Sequence, residues 1–189
     1  MRIVGGRLKG RVLHGPKSDA IRPTSDRLRE SLFNILVHSY DDPLPGARVI
    51  DLFAGTGAFG LEAVSRGADF ALLVDDGAEA RALIRENVEA LGLGGVTKIF
   101  RRDARRLGDA PPGPPYTLAF LDPPYNRGLA EHALLALARG NWLAPGALVI
   151  VEEAAAAMFE PAAGYDVLER RDYAETEVIF LRFSMQARP

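Results

Sequence analysis

The chain predicts an α/β fold in which a mostly parallel sheet carries helices on both faces. Near-continuous apolar runs such as "RVIDLF", "FALLVDD" and "TLAFLD" alternate with stretches of helical period. Runs of that kind suit strands buried on both faces, as in a parallel sheet. The last two runs, "YDVLERRDY" and "TEVIFLRF", are joined by a short polar turn, so they predict an antiparallel pair at one sheet edge.

Taken in order, residues 1–13 alternate basic and apolar positions around Gly5, Gly6 and Gly10 and predict a short hairpin. A loop with Pro16 and Pro23 follows, then "TSDRLRESLFNILVHS". Thr24 is a candidate N-cap, Asp26 suits the first helical turn, and Leu28, Leu32, Ile35 and Leu36 share one face. "DDPLPGA" at 41–47 breaks the chain and divides an amino-terminal extension, 1–42, from a main domain, 43–189. In the main domain, strands are expected at 48–53, 70–76, 96–103, 117–122 and 147–153, and helices at 58–66, 78–91 and 128–139. "PPGPP" at 111–115 is too proline-rich for any element, and "EEAAAAMFE" reads as a plain helix.

Composition excludes several classes. The 189 residues contain no cysteine, which removes disulfides, thiolate metal sites and cysteine nucleophiles. The three histidines, His14, His38 and His132, are too scattered for metal ligation, so no metal is expected. No apolar run reaches the ~18 residues of a membrane span, and the basic amino terminus does not read as a secretory signal. A soluble, cytoplasmic monomer is the expectation. The net charge is −2, yet residues 1–38 carry eight basic side chains against three acidic ones. That segment is +5 and the remainder −7, an asymmetry that fits a local polyanion-binding surface or a solvated basic tail.

"DLFAGTGAFG" (51–60) follows the first main-domain strand and opens a helix, with Gly55, Gly57 and Gly60 at G-x-G-x-x-G spacing. Such a loop lets backbone approach a ligand whose anionic group meets the helix N-terminus. Asp75 ends the next strand at the distance expected for a ribose-binding carboxylate. A nicotinamide-dinucleotide enzyme fits these features. Asp51, before the glycines, is awkward beside a pyrophosphate but useful beside an ammonium group. S-adenosylmethionine (SAM) fits better, since it has a ribose, a carboxylate and an ammonium and lacks a pyrophosphate. Asp103 ends the third strand on the same edge. The candidate cofactor residues are Asp51, Phe53, Ala54, Gly55, Gly57, Asp75, Asp76, Asp103 and Ala104.

"DPPY" (122–125) ends the fourth strand. An exocyclic amine has its lone pair delocalised into its ring. Acceptors on both N–H groups draw the nitrogen toward tetrahedral geometry. Asp122 supplies one acceptor and a destination for the released proton. The Pro123 carbonyl supplies the other, aimed by the fixed φ of Pro123 and Pro124. Tyr125 offers a ring on which a base can stack.

These segments resemble a known family. "DLFAGTGAFG" with "DPPY" looks like the class I SAM-dependent methyltransferases that modify exocyclic or side-chain amide nitrogens. "MRIVGGRLKGRVL" followed by "IRPTSDRLRESLFNIL" resembles the bacterial 16S rRNA (guanine(966)-N(2))-methyltransferase family, RsmD-like. The resemblance implies a Rossmann-like methyltransferase fold with a seven-stranded sheet. It implies SAM as donor, Asp103 at the adenine amino group and a flipped guanine in small-subunit rRNA as substrate. It also implies RNA or the small-subunit particle as partner, gripped by a basic amino terminus that includes Arg7, Lys9, Arg11, Arg22 and Arg27. The family often has a glutamate and then an aspartate at the second strand end, where this chain has Asp75–Asp76. An adenine-N6 methyltransferase acting on DNA or RNA and a non-catalytic RNA-binding factor are the alternatives.

Overall fold

The computed structural model describes residues 1–16, 24–125 and 127–184. One seven-stranded sheet contains β1 (Arg48–Leu52), β2 (Phe70–Val74), β3 (Thr97–Phe100), β4 (Tyr116–Leu121), β5 (Leu143–Ala154), β6 (Tyr165–Tyr173) and β7 (Thr176–Phe183). The order is β3-β2-β1-β4-β5-β7-β6. Neighbours from β3 to β5 run parallel, and β7 is antiparallel to both β5 and β6. The helices are α1 (Asp26–Ser39), α2 (Ala58–Ser65), α3 (Ala78–Leu91) and α4 (Leu129–Arg139).

The apolar strand residues bury on alternate sides. Val49 of β1 joins a cluster with α1, α2, α3 and the amino-terminal Ile3 and Leu13. Ile50 and Leu52 join a second cluster with α4, Leu107 and Trp142. Phe33 of α1 and Phe59 of α2 pack on Phe120 of β4, with ring centroids 5.5 and 5.1 Å away. Each aromatic pair contributes about 1 kcal/mol beyond its area burial, and together they fix α1 over the strand that leads to Asp122. Trp142 is fully buried, and its indole N–H donates to the Gly108 carbonyl at 2.8 Å.

Strand order fixes where a ligand can sit. From β1 the chain steps outward to β2 and β3, then returns to the other side of β1 as β4. The carboxyl ends of β1 and β4 therefore flank a topological switch point, where open α/β sheets bind ligands. The register pairs Leu52 with Val74 and Leu121, and Leu121 with Val151. One residue beyond these pairs come Asp75, Asp122 and Glu152.

The amino-terminal segment docks on α2 and α3. Fully buried Glu62 accepts from Val4 N at 2.9 Å and pairs with Arg66 at 2.8 Å and Arg29 at 3.6 Å. Arg29 is itself fully buried, donating to Asp26 at 2.9 Å and to the Arg2 carbonyl. Its charge therefore belongs to this joint and not to the basic surface. On α3, Asn87 accepts from His14 N at 2.7 Å and donates to the His14 carbonyl at 3.1 Å.

The predicted amino-terminal hairpin is a short one: Arg2 and Val12 pair antiparallel, Ile3 N donates to Arg11 O at 2.9 Å and Leu13 N to Met1 O at 3.0 Å, and a 3₁₀ turn, Gly6–Leu8, lies between the arms. Three local expectations are corrected. Ser25, not Thr24, caps α1, its hydroxyl accepting from Leu28 N at 3.1 Å. "EEAAAAMFE" is not a helix. β5 runs on to Ala154 because β7 pairs with it that far, and only a 3₁₀ turn, Ala155–Ala157, follows. Strands β2 and β3 end before their aspartates, which belong to the loops.

Candidate active site

The loop after β1 holds the first half of the site. Phe53 turns the chain at φ 58°, a left-handed conformation that is unusual for a bulky residue and marks a constrained position. Gly57 follows at φ 79° and opens α2. Gly60 lets α2 lie against β2, since a Cβ there would stand 2.3 Å from Leu73 Cδ2. Ala54 is buried and ties the loop to β2 through Val74 O at 3.1 Å.

Two carboxylates brace this loop. Asp51 Oδ2 accepts from Gly60 N at 2.9 Å, while the buried Oδ1 has no hydrogen-bond partner among the described residues. Burial pushes the Asp51 carboxyl up to about 8, against the lowering effect of the Gly60 N–H. Asp75 accepts from Gly55 N at 3.0 Å and Gly77 N at 2.8 Å, and burial again raises its pKa. Asp75 thus ties Gly55 to Gly77 while Asp51 holds Gly60, and Asp76 next to Asp75 is exposed. Asp103 stands apart. It caps the 3₁₀ turn Ala104–Arg106 and makes a bidentate pair with Arg105, which lowers its pKa. Ala104 is buried behind it.

The segment after β4 holds the second half. Asp122 N reaches Leu52 O at 3.4 Å, so this segment leaves the sheet beside the glycine loop. Thr24 donates its hydroxyl to Asp122 Oδ2 at 2.9 Å and lies 3.4 Å from Glu152 Oε2. Tyr125 donates to Glu152 Oε1 at 2.7 Å and stands 3.0 Å from Thr176 Oγ1. Burial and the neighbouring Glu152 raise the Tyr125 pKa, which keeps the phenol a neutral donor. Pro123 is buried and Pro124 exposed.

Sequence reasoning missed Thr24 in this role, along with Glu152 and Thr176. Glu152 had a signal: "ALVIVEE" ends in acid at the edge where the other strands end in aspartate. Thr24 had none, since its partner lies 98 residues away. Of the basic residues, Arg7, Lys9, Arg11 and Arg27 are exposed, and Arg11 donates to Ala90 O at 2.5 Å. Arg27 lines a groove of about 420 Å³ along α1 that has no glycine-loop residue in its walls. Arg22 lies outside the described residues. Among the described residues, no acid and histidine cluster could hold a metal, and no helix is long and apolar enough to cross a membrane.

The arrangement combines a braced glycine loop with an acceptor-rich segment at the switch point. The family described as Conserved hypothetical protein 95 matches residues 1–182. The Escherichia coli K12 protein named Ribosomal RNA small subunit methyltransferase D is 42% identical over 153 residues, covering 80% of this chain and 74% of that one. A Bacillus subtilis protein named Putative rRNA methyltransferase YlbH is 32% identical over 154 residues, covering 80% and 82%. A solved Escherichia coli structure titled Putative methyltransferase yhhF superposes with TM-score 0.84 at 30% identity, covering 98% of this chain and 99% of that one. The chain therefore belongs to the Conserved hypothetical protein 95 family and is a class I methyltransferase of the RsmD type.

Proposed function

We propose that the protein transfers a methyl group from SAM to the exocyclic N2 of a guanine in small-subunit rRNA. The observation that carries this reading is the adjacency of β1 and β4, which sets Asp122 beside the glycine loop at the switch point.

The residues suit SAM. The partnerless Asp51 Oδ1 and a carboxyl held near pH 8 match a cationic amine, which favours the ionised form. Gly55 and Gly57 leave backbone open to close approach, and Asp75 retains lone pairs for ribose hydroxyls beside its two N–H partners. Asp76, next to Asp75, would face the ribose side of SAM, and Asp103 and Ala104 would hold its adenine. When bound, SAM supplies an electrophilic methyl group on a sulfonium.

The chain's own groups prepare the amine. Asp122 accepts one N–H and receives the proton released, and the Pro123 carbonyl accepts the other. Tyr125 presents its ring to the base while its hydroxyl is held by Glu152 and Thr176. Guanine presents N1–H and N2–H donors side by side, whereas adenine presents an acceptor at N1. Two carboxylates around one Thr24 hydroxyl favour the guanine edge. The extension, 1–42, grips RNA through Arg7, Lys9, Arg11, Arg22 and Arg27.

The test incubates the protein with methyl-labelled SAM and, separately, naked 16S rRNA, small ribosomal subunits, DNA and protein. Label recovered as N2-methylguanosine from rRNA or subunits supports the reading. Label in N6-methyladenosine, or only in DNA or protein, overturns it.

A further inference from the structure

The whole-chain charge split hides a second basic region. Outside residues 1–38 the chain is −7, yet "RRDARR" at 101–106 places four arginines around one aspartate just after β3. The 3₁₀ turn in that run packs beside α4: Ala110 N donates to Gly140 O at 2.8 Å, and Trp142 bonds Gly108 O. Between them lies a groove of about 270 Å³ whose walls include Arg105, Arg106, Arg139 and His132, with Asp109 as its acidic residue.

The arginines differ in how they are used. Arg105 is neutralised by its bidentate pair with Asp103. Arg102 lies over the Phe100 ring at 5.1 Å. The side chains of exposed Arg101, Arg106 and Arg139 make no hydrogen bond or ion pair with the described residues. Of these, Arg106 and Arg139 line the groove, and two guanidiniums against one groove carboxylate leave a local positive excess; guanidinium geometry suits phosphate oxygens.

Position makes the excess informative. The 3₁₀ turn starts right after Asp103 at the carboxyl edge, and the groove runs from there along α4 to Arg139 in its last turn, beside the start of β4. The groove belongs to the sheet face covered by α4, and the amino-terminal extension to the opposite face. We propose that the groove between the Ala104–Arg106 turn and α4 is a second RNA phosphate-backbone site. The strand carrying the target nucleotide is then held on both sides of Asp122, with phosphates on Arg7, Lys9 and Arg11 on one face and on Arg106 and Arg139 on the other. Two-sided holding suits base extrusion, because it fixes the backbone on either side of the flipped nucleotide. This proposal rests on the RNA methyltransferase reading above.

The test is the double variant Arg106→Gln, Arg139→Gln, which spares Arg105 and its Asp103 pair. Binding to small-subunit rRNA is measured over a salt series, with calorimetric SAM binding and circular dichroism as controls. Loss of two phosphate contacts should weaken RNA binding about tenfold and reduce the log–log salt slope by roughly 1.5, with SAM affinity kept. Methyl transfer should lose KM for RNA before kcat. Unchanged RNA affinity and slope in a variant with normal SAM binding overturns the second site and leaves the methyltransferase reading intact. A wild-type protein that transfers no label to rRNA or small subunits overturns both.

Discussion

The loop after β1 and the segment after β4 leave adjacent strands at the same sheet edge, yet they are held in different ways. The glycine loop is braced locally. Asp51 bonds Gly60 nine residues on, and Asp75 bonds Gly55 and Gly77 across 20 residues and two. The Asp-Pro-Pro-Tyr segment is braced from far away, by Thr24 at a separation of 98, Thr176 at 51 and Glu152 at 27. The glycine loop is held mainly by near neighbours in the chain, and the Asp-Pro-Pro-Tyr segment by elements across the fold. Damage to the first should change stability and SAM binding. Damage to the second should change turnover alone.

The largest effect is expected on the local side. In Gly60→Ala the added Cβ meets Leu73 Cδ2 at 2.3 Å, so the buried Leu73 side chain or α2 itself must shift. Overpacking of this kind costs about 3 kcal/mol, read as a lower urea midpoint, and SAM binding should fall with it. A variant with wild-type stability and affinity would show that the loop does not depend on that close approach.

Next comes Glu152→Ala, which removes the acceptor shared by Tyr125 and Thr24. Misplacing the ring should lower kcat roughly 10- to 100-fold, while calorimetry finds SAM affinity unchanged. Equal losses in both would erase the distinction between the two halves.

A separate test concerns the pH dependence that Asp51 sets. Its carboxyl is raised from an ordinary 3.8 to about 8, so the native state keeps a proton that the unfolded chain has lost. The resulting stability is fully present below the ordinary value and is lost as pH rises toward 8. Asp51→Asn stays neutral throughout and should flatten that decline in urea midpoints measured across the same window. A variant with the wild-type slope would assign the decline to another group.

The same contrast explains what was legible in the sequence. Alternating apolar and helical periods gave the sheet and its helices, since both patterns follow from burial of one chain segment at a time. The antiparallel pair of β6 and β7 was visible from its short turn. Asp51, Gly55, Gly57 and Asp75 were visible because their partners lie nearby in the chain. Thr24 read as a helix cap because a threonine before an apolar stripe looks like one locally. The packing of α1 on the sheet, through Phe33 on Phe120 and Tyr40 on Phe180, brings it to Asp122. "EEAAAAMFE" read as a helix for a related reason: alanine propensity is weak beside pairing with β7.

The most direct measurement is Asp122→Ala, with methyl transfer to small-subunit rRNA and SAM binding followed in the same preparation. A role confined to the amine predicts a fall in transfer of at least about 100-fold, with SAM affinity close to wild type. Transfer at the wild-type rate, or loss of SAM binding in step with activity, would contradict it.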